Sequence, residues 1–239
     1  MPDRRAHRGP HPEDATLFNA QTLPLLQNAV ADASWLLSRG YADKSTLKIV
    51  GDRYNLNVRQ RLGVMRASCS DASREHRRQK QAAADFAAGR SLTIDGYNLL
   101  ITLESALAGA VLLDCRDGCI RDLASLHGTY RRVEETRPAI ELAAESLQSL
   151  DAGEVTWLLD RPVANSGRLK SLILDFARGR GLAWNVELVP NPDKLLIASD
   201  CLIATSDSVI LDGCKAWLNL ARLIIQRLPV PDNLINLNI

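Results

Sequence analysis

From Ser91 onward the chain repeats one pattern, a short apolar run followed by an amphipathic stretch, and four of the runs lead into aspartate. The runs are LTI-Asp95, VLL-Asp114, WLL-Asp160 and LIATS-Asp207. SLTID, AVLLD, VTWLLD, LAWNVELV and CLIAT are predicted strands. LLITLESALAG, residues 134–150, SGRLKSLILDFARGR, DKLLIAS and residues 208–227 are predicted helices. Near-continuous apolar strands that alternate with helices imply a mostly parallel sheet covered on both faces. Right-handed crossovers make this a doubly wound α/β fold. The strand ends of such a sheet share one edge, and ligands bind there.

Carboxylates crowded at that edge repel one another and hold protons more tightly unless a cation sits among them. The candidate ligands are Asp95, Asp160, Asp193, Asp207 and Asp212. The set offers oxygen only, with no histidine and no close cysteine pair, so Mg2+ or Mn2+ fits better than zinc. Each strand-end aspartate, Asp95, Asp114, Asp160 and Asp207, is also placed to cap a helix, and for any one position alone that is the commoner role. Cys115, Cys119 and His127 offer a zinc alternative, but at a spacing unlike the common finger patterns. No Gly-x-x-x-x-Gly-Lys-Ser/Thr and no Gly-x-Ser-x-Gly is present. A P-loop and an ordinary α/β-hydrolase nucleophile are therefore not expected. Asp95 is not followed two residues later by a second aspartate, against the haloacid-dehalogenase type of phosphatase.

The front part differs in character. Residues 1–90 carry 15 Lys+Arg against 9 Asp+Glu, and residues 91–239 carry 14 against 19. A basic front suits a polyanion, and an acidic back suits metal cations. Residues 1–15 are rich in Arg, His and Pro and read as a disordered arm. Residues 16–90 read as a small all-helical domain, with the α/β domain over 91–239. Gly40 stops one helix, Ser45 is placed to cap the next, and Asn55-Leu56-Asn57 breaks before a third. This resembles a helix-turn-helix. The third helix carries Arg59, Arg61 and Arg66, so Arg59 and Arg61 are candidate nucleic-acid contacts.

At Asp95-Gly96-Tyr97-Asn98 the pattern becomes recognisable. An apolar strand ending in these four residues resembles the opening of PIN-like and NYN-type nuclease domains. ATSDSVILD over 204–212 resembles their closing pattern of strand, Thr-x-Asp and further acidic help. The whole chain also looks like a two-part prokaryotic family with a helical front and such a domain behind. The resemblance implies a PIN-like fold and metal-assisted hydrolysis of a phosphodiester, in RNA first. It implies Asp95 as the first-strand ligand with Asn98 nearby, Asp207 as the late ligand supported by Asp212, and Asp193 ahead of the last strand. Asp160 is the fourth candidate catalytic residue, after Asp95, Asn98 and Asp207. The loop after Asp160 opens a helix at Ser166-Gly167, whose free amides favour phosphate. Ser166, Arg168 and Lys170 are therefore candidate substrate contacts. The segment CRDGCIRDLASLHGTYRR fits nothing in that pattern.

The alternative to a nuclease is a non-catalytic nucleic-acid-binding or regulatory protein with a degenerate domain of this kind. The five cysteines are sparse and odd in number, which does not suggest a disulfide framework. No apolar run reaches membrane-spanning length, and the expected location is cytoplasmic. The tail PVPDNLINLNI is apolar enough to dock on the protein or on a second copy, so a homo-oligomer stays open.

Overall fold

A computed structural model describes residues 7–124, 130–229 and 233–239. Five helices lead: α1 Asp14–Leu17, α2 Leu23–Ser38, α3 Asp43–Arg53, α4 Val58–Ala67 and α5 Asp71–Lys80. A 3-10 turn, Ala84–Ala87, joins them to the α/β part. The elements of that part begin with β1 Leu92–Asp95, α6 Gly96–Leu107, β2 Leu112–Asp114, β3 Ile120–Asp122, α7 Thr136–Ser149 and β4 Val155–Asp160. Then come α8 Ser166–Gly179, β5 Trp184–Val189, α9 Pro192–Ala198 and β6 Leu202–Ala204. The last are α10 Ser208–Gly213, β7 Trp217–Leu218, α11 Leu220–Ile225 and β8 Leu234–Asn236.

Five strands form a wholly parallel sheet in the order β5-β4-β1-β6-β7. Its strands alternate between two apolar layers. Trp157 and Leu159 of β4 and Ile94 of β1 face the core shared with α6, α7, α8 and α11. Leu158 of β4 and Ile203 of β6 face the opposite core, with Leu196 of α9 and Ile210 of α10. Burial on both faces is why these strands read as continuous apolar runs.

Asp114 corrects the four-strand reading. Its strand β2 belongs to a separate three-stranded sheet, antiparallel to β3 and parallel to β8. Asp114 therefore lies away from the main sheet's edge and is ion-paired with Arg222. The expected helix over 208–227 is also divided. Trp217 is fully buried and joins the sheet as its last strand, so the chain leaves the helical path after Gly213. A Cβ on Gly213 would meet Ile197 at 2.9 Å, which keeps α9 and α10 close.

The front helices do not stand apart. Leu26, Ala29, Val30, Val50 and Val64 share one core with Val111, Leu113, Leu123 and Leu237. The second sheet is the surface on which they pack, and the apolar tail completes it from within the same chain. The stretch read as a disordered arm is docked from its seventh residue. His7 Nδ1 lies 2.7 Å from Glu135, and Arg8 Nε donates to the buried Glu104 at 2.5 Å. Among the described residues no helix is long and apolar enough to cross a membrane.

Candidate functional site

Strand register brings the aspartates together. Asp95 pairs with Leu158, so Asp160 projects two residues beyond it on the neighbouring strand. Ile94 pairs with Ala204, which puts Thr205 level with Asp95 across β6. The Thr205 hydroxyl accordingly donates to Asp95 Oδ2 at 2.8 Å. Asp207 follows two residues on. It caps α10, its Oδ1 accepting from the Val209 and Ile210 amides at 2.8 and 3.2 Å. Asp193 stands in the first turn of α9, which Asn191 caps. Gly96 allows the turn out of β1 to lie flat on β4, where a Cβ would meet the Leu158 carbonyl at 2.8 Å. Asn98 Oδ1 accepts from the amide and hydroxyl of Ser206 at 2.9 and 2.8 Å, tying α6 to the Asp207 loop.

Among the described residues, no Lys, Arg or His is ion-paired with Asp95, Asp160, Asp193 or Asp207. Burial pushes the Asp95 carboxyl up to about 7, with Asp207, Asp193 and Asp160 adding to the rise and Thr205 opposing it. Asp160 is raised by burial and then by Asp193, and Asp193 by burial and then by Asp207. Asp95, Asn98, Asp193 and Asp207 line a cleft of about 330 Å3. Asp160 lies one strand over, within electrostatic reach of Asp95.

The segment that fitted no pattern also lines the cleft. Arg121 and Asp122 of β3 face the cleft, together with Arg66 of α4. Arg121 Nε donates to the Ser206 carbonyl at 2.8 Å, and its two Nη groups hold Asp117 at 2.9 and 2.6 Å. Arg66 donates to the Asp122 and Ala124 carbonyls at 2.6 and 2.9 Å. Sequence reasoning passed over Arg121 and Asp122. The available signal was a charged pair, Arg121-Asp122, set between the apolar Ile120 and Leu123, because buried charges require partners.

Asp212 is not part of this cleft. Arg77 grips both its oxygens at 2.7 and 2.8 Å and holds Asp117 at 2.7 Å. The helix-turn-helix arginines are likewise committed. Arg59 is bound to Asp14, and Arg61 to the Leu56 and Leu47 carbonyls and to Asp52. Of that helix's three arginines, Arg66 alone reaches the cleft. Ser166 is buried, and its hydroxyl donates to the Arg161 carbonyl at 3.3 Å, so it does not offer itself to a ligand. Arg168 is exposed and lines a separate cavity, while Lys170 is half-buried. Cys115 and Cys119 are buried. Burial pushes the Cys115 thiol up to about 12, and that of Cys119 well above its usual value. His127 lies outside the described residues.

Among the described residues, no three His, Cys, Asp or Glu side chains stand in metal-holding proximity. The carboxylates form an open rim rather than a closed cage. An open rim of oxygen donors suits Mg2+, which keeps several of its waters and takes only one or two carboxylates plus substrate oxygens.

Residues 84–223 match the family described as "Domain of unknown function (DUF5616)". The chain belongs to the DUF5616 family. Residues 25–80 match a second description, "Protein of unknown function (DUF434)", so the helical front and the α/β part each have a family counterpart. An uncharacterized protein of Methanocaldococcus jannaschii is 31% identical over 186 residues, covering 78% of this chain and 88% of that protein. The two-part organisation of this DUF5616 member is thus shared with an archaeal relative. No solved structure matches the chain.

Proposed function

We propose that this protein is a Mg2+- or Mn2+-dependent nuclease that hydrolyses phosphodiesters, in RNA first. The observation that carries the reading is the convergence of Asp95, Asp193 and Asp207, with Asp160 beside them, on one edge of a parallel sheet. The resemblance of Asp95-Gly96-Tyr97-Asn98 to the opening of PIN-like and NYN-type domains supports it. Asp95 and Asp207 would hold the cation together with water and substrate oxygens, and Asp193 and Asp160 would add negative charge from the side.

A divalent cation bound there lowers the pKa of a water and offsets charge on the phosphate. The protein's own residues supply the rest. Thr205 fixes the rotamer of Asp95 through one of its two carboxylate oxygens. The backbone amides of α10 fix Asp207 in the same way. Asn98 locks the loop between them. Arg121, bound to Asp117 and the Ser206 carbonyl, and Arg66, bound to the Asp122 and Ala124 carbonyls, line the same cleft and hold the Asp207 loop against the second sheet.

The test is cleavage of single-stranded RNA with Mn2+ by the wild type, Asp95→Asn and Asp207→Asn. Mn2+-dependent cleavage that both substitutions abolish supports the assignment; cleavage unchanged in both rejects it. The openness of the carboxylate rim favours one other reading, a nucleic-acid-binding protein without turnover. Salt-sensitive RNA binding with no metal-dependent cleavage in the wild type would select it.

A further inference from the structure

A second cavity of about 370 Å3 opens where the loop before α7 meets the start of α8. Arg131, Arg132 and Arg168 line it with Tyr130, Asn165 and Leu169, and among the described residues no carboxylate lines it. Arg131 Nη1 is buried and has no partner among the described residues. Two nearby acids are already committed, Glu104 to Arg8, Tyr130 and Thr136, and Glu135 to His7, while Glu134 is exposed and lies 3.7 Å from His7. Three guanidinium groups around one cavity repel one another, and an anion relieves that repulsion.

The walls are held in place. The Tyr130 amide donates to the Ala164 carbonyl at 3.1 Å, and Asn165 Nδ2 donates to the Tyr130 carbonyl at 2.9 Å. Asn165 takes a left-handed backbone, φ 71°, immediately before α8. That turn starts a 14-residue helix whose Arg168 and Leu169 line the cavity. Planar guanidinium forks match phosphate oxygens in pairs.

The cavity adjoins the acidic cleft. Tyr97 lines the cleft, Tyr130 lines the cavity, and their ring centroids are 5.2 Å apart. We propose that the cavity is a phosphate site, and that the phosphate belongs to a single-stranded nucleic acid whose neighbouring linkage lies in the acidic cleft. The source of the phosphate rests on the nuclease reading; the anion site itself does not. Arg131, Arg132 and Arg168 anchor the strand, and the two tyrosines form the partition between anchor and cleft.

The experiment measures binding of a short fluorescein-labelled single-stranded RNA to the full chain in EDTA, across a range of KCl concentrations. Arg132 and Arg168 lie at the rim of the cavity rather than in the core, so Arg132→Gln and Arg168→Gln are expected to fold as the wild type does, which thermal melting checks. Each substitution should weaken binding about 5-fold or more and flatten the log K against log salt slope by about 0.7. Inorganic phosphate should compete with RNA, and calorimetry should show its binding to the wild type lost in Arg168→Gln.

Unchanged affinity and slope in both variants, with no phosphate binding, would overturn the site even if the wild type cleaves RNA. RNA binding that depends on the arginines, without Mn2+-dependent cleavage, would uphold the site and overturn the nuclease reading instead. Phosphate binding without RNA binding would uphold the anion chemistry and overturn the strand as its source.

Discussion

Two groups of aspartates lie on either side of Ser206, and their neighbours give them opposite chemistry. On one side Asp95 is buried among three other carboxylates and is pushed up to about 7. On the other, Asp117 is deeply buried too, yet it is held well below the usual carboxylate range. Burial works to raise it, but Arg121 and Arg77 outweigh burial. Residue type is the same and depth is similar, so the local charge partners decide the outcome. A carboxylate whose charge is met belongs to the scaffold. A carboxylate whose charge is left open is available to a cation.

This contrast can be broken most severely at Asp117. Replacing it with alanine leaves Arg77 and Arg121 without their shared buried partner. The expected loss is about 3–5 kcal/mol, read by chemical denaturation. A loss below about 1 kcal/mol would mean that the network is not a structural clamp. The next largest effect is on turnover. Asp95→Asn should lower Mn2+-dependent RNA cleavage at least about 100-fold, as expected when a principal source of electrostatic stabilisation is removed.

The same substitution should act in the other direction on stability. The folded pKa of Asp95 lies above its unfolded value of about 4, so its ionisation opposes folding. In cation-free buffer the wild type should therefore lose stability as pH rises from about 4 to about 7, then level off. Asp95→Asn should remove that loss and be more stable at pH 8 by roughly 1–4 kcal/mol, with the gain vanishing near pH 4. Equal melting profiles across that range would show the charge to be already compensated. The smallest effect is expected at Asp212, whose side chain is 44% exposed and whose partner Arg77 keeps Asp117. Asp212→Asn should cost under about 1 kcal/mol and leave cleavage unchanged. A large loss of cleavage would return Asp212 to the site.

The contrast also marks what was legible in the sequence. LTI-Asp95, WLL-Asp160 and the approach to Asp207 declared themselves, because strands buried on both faces leave an uninterrupted apolar run before the first polar residue. VLL-Asp114 has the same local form, but its pairing with β3 and β8 is set by distant residues. No local pattern distinguishes one sheet from another. Asp212 has the spacing of a fellow ligand, and only the position of Arg77, 135 residues earlier in the chain, removes it. Arg59 and Arg61 look like exposed base readers until Asp14 and the Leu56 carbonyl are seen beside them. Arg121 and Asp122 were missed for the converse reason. Their segment matches no repeating pattern, and its role comes from packing between the front helices and the Ser206 loop.

The position of Leu237 has a further consequence. This fully buried residue seals the core of helices that begin more than 200 residues before it. During synthesis those helices can close on β2 and β3, but their core stays incomplete until the last strand slots beside β2. Trimming residues 234–239 would therefore be felt at the opposite end of the sequence, as a loosened front rather than a shortened tail.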